Sequence, residues 1–521
     1  MKNFQKVILI ILDGWGIREE TFGNPILVGD ARNFEYFFRN FPSTLLFAHG
    51  KYVGLPDDQE GNSEAGHQNI GAGRIIMQDN VLISKKIKDG SFFKNKALKE
   101  VISHVKKNQS RLHLMGLLSG KSTSHSSPDH LFALIKMARK EGVKKVILHL
   151  FTDGRDSSPH SAVEFLGDLK RYFKNGSLNS TQFTIGTICG RVFAMDRKKD
   201  WRNTEKAYNL LVLGEGNKAS SPEEAIVHAY NLNLTDEFIP PTIIAQKEKI
   251  TIEDNDGVIF FNLRGDRGRQ LTSAFVQKDF ENRNKKAFTR KKILKNLKFV
   301  TFTDFGKDLE GAIVAFPQEK ISDTLPWILK DFEQLYLSEA EKFPQITYFF
   351  NGGFDHPVGK EERVKVPSPR VLSYAAIPEM SLPEVIQVLK EKLLHKNYQF
   401  VCVNFANPDM IGHTGSFQSA LDCVKIVDEA LNQVVNFAKA LDYNILITAD
   451  HGNIEEMIDK DTGEVITKHT KNPVPFIFIP SKQFKFKKIK FKKGRALANI
   501  APTILKIMGV VAPSEMVEPL F

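Results

Sequence analysis

Five apolar, strand-like runs in this 521-residue sequence end in residues able to do chemistry. Val7–Leu12 leads to Asp13, Val146–Thr152 to Asp153-Gly154-Arg155-Asp156, and Val258–Leu263 to Arg264. Phe400–Asn407 leads to Asp409, and Asn444–Ala449 to Asp450-His451. Open α/β sheets bind ligands beyond the carboxyl ends of their strands, so five such endings predict the rim of an active site. Asp409 and His413 are four apart, a spacing that puts two side chains on one face of a helical turn. Asp450 and His451 are adjacent, with side chains expected to point apart, so that two neighbouring ions could each take one. His469 lies in a polar loop before the strand-like Val474–Ile479. Mixed carboxylate and imidazole donors suit Mn²⁺ or Zn²⁺ better than Ca²⁺. Paired ions clamp the attacking and leaving oxygens of phosphoryl transfer. Taken singly, Asp409 reads as a helix cap, His413 as a solvated side chain and His469 as an ordinary loop histidine. Their co-occurrence after strand ends favours the metal reading.

Two further groups extend the chemistry. Gly61-Asn62-Ser63-Glu64-Ala65-Gly66-His67 is a polar turn before a helical Glu64–Ile70. A serine there is ordinarily an N-cap, but beside a divalent ion it would be an activated nucleophile, helped by the helix N-terminus. His67 reads as structural. The middle of the chain carries Arg155-Asp156, Gly190-Arg191 with Arg197, and Arg264-Gly-Asp-Arg267. One such arginine is ordinarily a surface salt bridge. Three clusters, two of them after strands, favour a small anionic substrate held by bidentate guanidinium contacts.

The elements that must position these residues alternate. Other strand candidates are Phe183–Ile188 and Ile346–Phe350; helix candidates are Asp129–Glu141, Ser161–Phe173, Glu205–Leu213, Leu382–Leu394 and Ser419–Leu441. The alternation implies an α/β fold with largely parallel, buried sheets. Metal and nucleophile candidates occupy the chain ends and anion-binding candidates the middle. A catalytic domain of residues 1–79 and 313–521, interrupted by a substrate domain of residues 80–312, is therefore expected, with the site in the cleft between them.

Composition excludes other classes. With 42% apolar and 26% charged residues, the sequence is neither disordered nor fibrous. There are 72 Lys and Arg against 61 Asp and Glu, a net charge of +11. Eight basic residues and no acids lie between Lys482 and Arg495, and without them the balance falls to +3. The excess is partly one local run, so a nucleic-acid surface is not required. The alternation Phe484-Lys485-Phe486-Lys487 and Ile489-Lys490-Phe491-Lys492 predicts a lysine-guarded edge strand. Three cysteines without CxxC spacing argue against a disulfide framework or a cysteine-rich zinc site and fit a reducing compartment. Lys2 and Lys6 before Val7–Leu12 superficially resemble a signal peptide, but the run is too short and Asp13 follows it. No apolar stretch approaches the roughly 18 residues of a membrane span. A cytoplasmic protein is expected.

Assembled in order, these motifs resemble the cofactor-independent (2,3-bisphosphoglycerate-independent) phosphoglycerate mutases of the alkaline phosphatase superfamily. The resemblance runs nearly end to end. It rests on Leu12-Asp13-Gly-Trp-Gly16, Gly61-Asn-Ser63-Glu64, Phe151-Thr-Asp-Gly-Arg155-Asp156, Gly190-Arg191 with Ala194-Met-Asp-Arg197, and Asn262-Leu-Arg264-Gly-Asp-Arg267. It continues through Glu341-Lys342, Thr347-Tyr-Phe-Phe-Asn-Gly-Gly353, Asn404-Phe-Ala-Asn407 with Asp409 and His413, Thr448-Ala-Asp450-His451-Gly-Asn453, and His469-Thr470. The resemblance implies that Asp409, His413 and His469 bind one ion, and Asp13, Ser63, Asp450 and His451 another. Mn²⁺ comes first, with Mg²⁺, Zn²⁺ or Co²⁺ as alternatives. It implies that Ser63 takes the phosphoryl group of 3-phosphoglycerate and returns it to the other hydroxyl, giving 2-phosphoglycerate without bisphosphoglycerate. His125, Arg155, Asp156, Arg191, Arg197, Arg264 and Arg267 match substrate contacts, Lys342 the phosphate-stabilising lysine, and Asp156 the group exchanging protons with glycerate. A monomer acting on a small phosphorylated acid, with no nucleic-acid or membrane partner, is implied. One departure stands out. Where the family reads Gly-Gly-Val-His-Ser-His, this chain has Lys121-Ser-Thr-Ser-His125-Ser-Ser127-Pro128, one residue longer and with Ser127 at the second histidine.

A metallophosphatase or another phosphomutase on the same two-metal core is the nearest rival. A polyanion-binding protein using the lysine run is the rival from another class.

Overall fold

The computed structural model describes residues 4–120, 123–174, 181–244, 249–317, 320–484 and 489–521. The chain forms two compact units, Met1–Gln78 with Lys320–Phe521, and Asp79–Glu319.

The first unit is built on a seven-stranded sheet. Its order is Glu361–Val366, Gln334–Glu339, Phe400–Phe405, Val7–Leu12, Asn444–Thr448, Val474–Ile479, Ser43–Leu46. The first five strands are parallel, and the last two pair antiparallel. Val7–Leu12 is apolar at every position and fully buried, as a central parallel strand covered on both faces must be. Each such side chain contributes about 1.5–3 kcal/mol relative to exposure. The 24-residue helix Phe417–Ala440 buries Val424, Val427, Leu431, Val434 and Val435 along one stripe, following its 3.6-residue period. Register sets the site: Leu12 lies opposite Phe405, and Ile11 opposite Thr448. Three neighbouring strands therefore release their chains at one edge, just before Asp13, Asp409 and Asp450.

The second unit holds an eight-stranded sheet. Its order is Ala312–Val314, Lys298–Thr301, Gly257–Phe260, Leu112–Leu118, Lys145–Thr152, Gln182–Gly190, Thr242–Ile244, Asn217–Ala219. Only the pairing of Gln182–Gly190 with Thr242–Ile244 is antiparallel. Leu118 pairs with Thr152, and Thr152 with Gly190, so the loops carrying His125, Asp153–Asp156 and Arg191 also leave one edge together. The α/β class with largely parallel sheets flanked by helices is thus the observed fold.

Beneath that sheet runs a buried polar chain. His113 Nε2 donates to Asp256 Oδ2 (3.0 Å), His149 Nε2 to His113 Nδ1 (2.9 Å), and the Thr187 hydroxyl to His149 Nδ1 (2.9 Å). Burial lowers the pKa of both histidines, with Asp256 opposing at His113 and the His113 ring adding to the fall at His149. On unfolding, each imidazole returns to its ordinary value, so below about pH 6.5 the unfolded chain binds more protons than the folded one. Stability is complete above that pH and is lost below it. Protection of the Leu112–Leu118 and Lys145–Thr152 amides, corrected for intrinsic exchange rates, is expected to fall between about pH 7 and pH 5. Unchanged protection over that window would contradict the assignment.

Two sequence expectations are corrected. Ile346–Phe350, read as a strand, belongs to the π-helical turn Gln345–Phe349, closed by Phe350 N–H donating to Gln345 O (3.0 Å). A short apolar run looks the same to pattern analysis in either form, and here Gln334–Glu339 fills the sheet position instead. The lysine-guarded edge strand is absent from the described part of its run. Phe484, Ile489 and Phe491 pack against the core of the first unit, and Lys492 and Arg495 pair with Glu518 at 3.0 and 3.1 Å. Lys485, Phe486, Lys487 and Lys488 lie outside the described residues.

Candidate active site

Ser63 is the first residue of the helix Ser63–Ala72 rather than its cap. Asn62 takes the capping role, its side chain accepting from Ala65 N–H at 2.8 Å. The serine hydroxyl is thereby free for other partners. It lies 2.9 Å from His451 Nε2 and 3.3 Å from Asp13 Oδ1, and accepts from Lys342 Nζ at 2.8 Å. Lys342 arrives on the turn Ala340–Lys342, directly after the Gln334–Glu339 strand. Its ammonium also donates to Asp13 Oδ1 and Asp409 Oδ2, both at 2.6 Å. Burial opposes the charge on Lys342, but Asp13, Asp409 and Asp450 outweigh it and hold its pKa above the ordinary lysine range. Burial, reinforced by Asp450, raises Asp13 to about 6, and burial pushes His451 down to about 3.

The imidazoles converge on the same carboxylates. His413 Nε2 and His469 Nε2 lie 3.3 and 3.2 Å from Asp409 Oδ1 and 3.0 Å from each other. The Asp450 and His451 side chains, expected to diverge, converge: His451 Nε2 is 3.4 Å from Asp450 Oδ2 and 3.9 Å from Asp409 Oδ1. Donor atoms of Asp13, Asp450 and His451 lie within 4.8 Å of one another, as do those of Asp409, His451 and His469. His451 is common to both sets.

The protonation pattern tests whether these groups fit metal ions. His413 Nδ1 faces Thr467 O (2.8 Å), His469 Nδ1 faces Gly61 O (2.8 Å), and His451 Nδ1 faces Gly452 O (3.2 Å). A carbonyl oxygen can only accept, so each Nδ1 donates and Nε2 is the ring atom turned toward the carboxylates. Three Nε2 atoms thus converge on three carboxylates, with the Lys342 ammonium among them. That is the donor set of divalent cations, with tautomers fixed from behind as metal-bound histidines require. The residues fit.

The second unit gathers a different set. Arg191 begins the short helix after Gln182–Gly190, and its side chain is 1% exposed. Its Nη1 contacts Asp153 and, at 3.0 Å, Asp156 Oδ2. Its Nε and Nη2 are buried with no hydrogen-bond partner among the described residues. Asp156 Oδ2 also accepts from Thr123 Oγ1 (2.7 Å) and lies 3.9 Å from His125 Nε2. Burial and Arg191 bring His125 down to about 4, so its ring is neutral, and its Nδ1 is buried with no partner among the described residues. Although burial opposes ionisation of Asp156, Thr123 and Arg191 keep it below the ordinary range. Arg197 and Arg264 share Asp266, at 3.1 and 3.5 Å, while Arg267 donates to Met195 O (3.3 Å). Burial and then Arg191, Arg197 and Arg155 lower Arg267, which shows how closely the cations crowd. Arg155 stands at the edge, half exposed and 3.5 Å from Glu237. Buried guanidinium N–H groups with no acceptor among the described residues, beside a neutral histidine, make a receptor for a small anion. In the atypical loop before His125, Lys121 and Ser122 lie outside the described residues.

Comparison with known proteins decides the family. Residues 83–307 match the model described as the BPG-independent PGAM N-terminus, and residues 323–512 the model for type I phosphodiesterase / nucleotide pyrophosphatase. The 2,3-bisphosphoglycerate-independent phosphoglycerate mutase of Clostridium acetobutylicum is 45% identical over 98% of both chains. The chain belongs to this mutase family. The Clostridium kluyveri mutase is 43% identical with the same coverage. A crystal structure of Leishmania mexicana phosphoglycerate mutase at low cobalt concentration superposes with a TM-score of 0.75 at 29% identity, covering 100% of this chain and 98% of that one. The protein is therefore an isomerase, a phosphoglycerate mutase of the alkaline phosphatase superfamily.

Several polar residues of this mutase's candidate site were assigned no role from sequence. Asn404 Nδ2 donates to Asp13 Oδ2 (2.8 Å), and Asn453 Nδ2 to Asp409 Oδ1 (2.8 Å). Asp153 is buried, holds Arg191, and accepts from Asp156 N–H (3.2 Å) and Ser157 Oγ (3.1 Å). All three stood inside the quoted motifs, and Asp153 itself follows a strand, so the strand-end signal reached it. His67, read as structural, is buried with Nδ1 2.9 Å from Ser63 O and 3.2 Å from Asp450 Oδ2.

Proposed function

We propose that this mutase works through a phosphoserine on Ser63, with two divalent ions held by the carboxylates and imidazoles of the first unit. The observation that carries this reading is the buried Ser63 hydroxyl, within hydrogen-bond reach of both Lys342 Nζ and His451 Nε2. Asp409, His413 and His469 would hold one ion, and Asp13, Ser63, Asp450 and His451 the other. Bound ions would neutralise the phosphoryl oxygens and favour the ionised serine. Mn²⁺ is our first choice.

In the proposed reaction the Ser63 Oγ–P bond forms as the bond from phosphorus to O3 of 3-phosphoglycerate breaks. The Ser63 proton is balanced by one gained at O3. The glycerate then turns, and its O2 takes the phosphoryl group as the Oγ–P bond breaks, giving 2-phosphoglycerate. The O2 proton is balanced by one returned to Ser63, so no proton is consumed. Asp156, ionised and beside Arg191, is the group that exchanges protons with the glycerate hydroxyls. Lys342 steadies charge on the phosphoryl oxygens. The unpartnered Nε and Nη2 of Arg191, with Arg155, hold glycerate, while Arg264, Arg267 and Arg197 hold phosphate. The chain would thus divide into a metal-binding catalytic domain, near residues 1–79 and 313–521, and a substrate-binding insertion. A monomer in the cytoplasm fits the three buried free cysteines. Among the described residues, no helix is long and apolar enough to cross a membrane.

Purified protein with Mn²⁺ and 3-phosphoglycerate is expected to form 2-phosphoglycerate without added bisphosphoglycerate. A chelator should stop the reaction and added Mn²⁺ restore it. Full turnover by the metal-stripped protein would remove the metal reading. Release of inorganic phosphate with no 2-phosphoglycerate would favour the phosphatase.

A further inference from the structure

Glu455 has no place in the reaction above, yet it is fully buried beside the metal-binding candidates. Both of its carboxylate oxygens are engaged by neighbouring loops. Oε2 accepts from the backbone N–H groups of Gly16 (3.0 Å) and Asn453 (2.8 Å). Oε1 accepts from the Thr470 hydroxyl and from Asn472 Nδ2 (3.0 Å). These donors come from three separate loops. One follows Asp13, one contains Asp450 and His451, and one contains His469.

The packing around the carboxylate is as specific as its hydrogen bonds. A Cβ on Gly16 would stand 2.3 Å from Glu455 Cδ, and one on Gly452 2.4 Å from Glu455 Oε1. Both glycines therefore let backbone close directly onto the carboxylate. The loops are also joined to each other, by Ile454 N–H donating to Gly14 O (3.1 Å) and Thr470 N–H to Gly452 O (3.0 Å). Asn453, held through its backbone by Glu455, passes its side-chain amide to Asp409 Oδ1 (2.8 Å). One buried carboxylate is thus tied to loops bearing Asp13, Asp450, His451 and His469, and through Asn453 to Asp409.

We propose that Glu455 is the positioning residue of the metal centre: it fixes the spacing of the three ligand-bearing loops without touching the ions or the substrate. The inference rests on the two-ion reading above. Groups behind the ligands of a metal site commonly contribute 10–100-fold to its affinity, because ligands that must be gathered at binding lose that ordering free energy.

Glu455→Gln tests it. The amide keeps the shape but has one oxygen, so its NH₂ must face N–H donors on one side and loosen a loop there. The full chain is stripped with chelator and titrated with Mn²⁺ by calorimetry, and its metal-free melting is recorded. Glu455→Gln is expected to bind Mn²⁺ about 10–100-fold more weakly than the unsubstituted protein. Its metal-free melting temperature should stay within a few degrees. At saturating Mn²⁺ its kcat should recover, with KM for 3-phosphoglycerate unchanged throughout. Thr470→Val removes a single donor and is expected to weaken Mn²⁺ several-fold. Unchanged Mn²⁺ affinity in a folded Glu455→Gln protein would overturn the proposal. If Glu455→Gln does not fold, unchanged affinity in Thr470→Val overturns it instead. A merely structural role would lower melting without moving metal affinity. No Mn²⁺ binding by the unsubstituted protein would remove the two-ion reading itself, and this inference with it.

Discussion

Ser63→Ala is expected to lower kcat at least about 10⁴-fold, since removal of the nucleophile leaves only binding and electrostatic stabilisation. The fold should tolerate the change. Asn62, not Ser63, caps the helix, so the start of Ser63–Ala72 keeps its N-terminal hydrogen bond. The lost hydroxyl accepts from Lys342, but that ammonium keeps Asp13 and Asp409 at 2.6 Å each. The cost in stability should be about 1 kcal/mol, that of one buried hydrogen bond. Mn²⁺ binding should survive largely intact, because the other six proposed ligands remain. Two measurements separate chemistry from folding. Rapid quench and mass analysis should trap phosphoserine at position 63 in the unsubstituted protein and no phosphorylated protein in the variant. Calorimetry should find Mn²⁺ bound by both. Substantial mutase turnover by Ser63→Ala would sink the nucleophile assignment, whatever the metal result.

The contrast between legible and illegible features follows the range of the forces involved. Val7–Leu12 has the bounds that its apolar run suggested, and Phe400–Phe405 and Asn444–Thr448 start where their runs do and stop short of Asn407 and Ala449, because burial on both faces leaves a continuous hydrophobic signature. The polar residues after these strands could be picked out for the same reason. Lys342 could not be read this way. It pairs with Asp13 across 329 residues of chain, and only family resemblance singled it out. Its strand, Gln334–Glu339, mixes polar and apolar residues that are all buried, which erases the alternation of a half-exposed strand. The convergence of Asp450 and His451 was missed for a related reason. Alternation along a strand ceases where the strand ends, and beyond Thr448 the chain follows its contacts with Glu455 and Gly14. Glu455 carried no signal of its own, since nothing in Asn453-Ile-Glu455 distinguishes a buried acceptor from a solvated acid.

Arg191→Lys carries the second large effect, expected on substrate rather than on metal. The guanidinium uses Nη1 for Asp153 and Asp156 and leaves Nε and Nη2 buried, with no partner among the described residues. Its planar fork can hold those carboxylates and still present two parallel N–H groups to an incoming carboxylate or phosphate. A lysine ammonium is a compact point charge on a narrower stem. It can satisfy Asp153, which would otherwise be a buried, unpaired charge, but cannot also offer the fork. Retaining the positive charge matters, since Arg191→Ala would add about 3–5 kcal/mol of damage from that orphaned carboxylate and blur the result. With lysine, the protein should fold and bind Mn²⁺ normally while kcat/KM for 3-phosphoglycerate falls about 10²–10³-fold, the cost of losing charge-assisted hydrogen bonds in a desolvated site. Arg155→Lys is the internal control. That side chain is 53% exposed and lies 3.5 Å from Glu237, so solvent screens it and its loss should be at least tenfold smaller. Equal effects at the two positions would show that charge alone recruits the substrate. An effect concentrated at Arg191 would identify its buried fork as the group that sets glycerate orientation, on which transfer from one hydroxyl to the other depends.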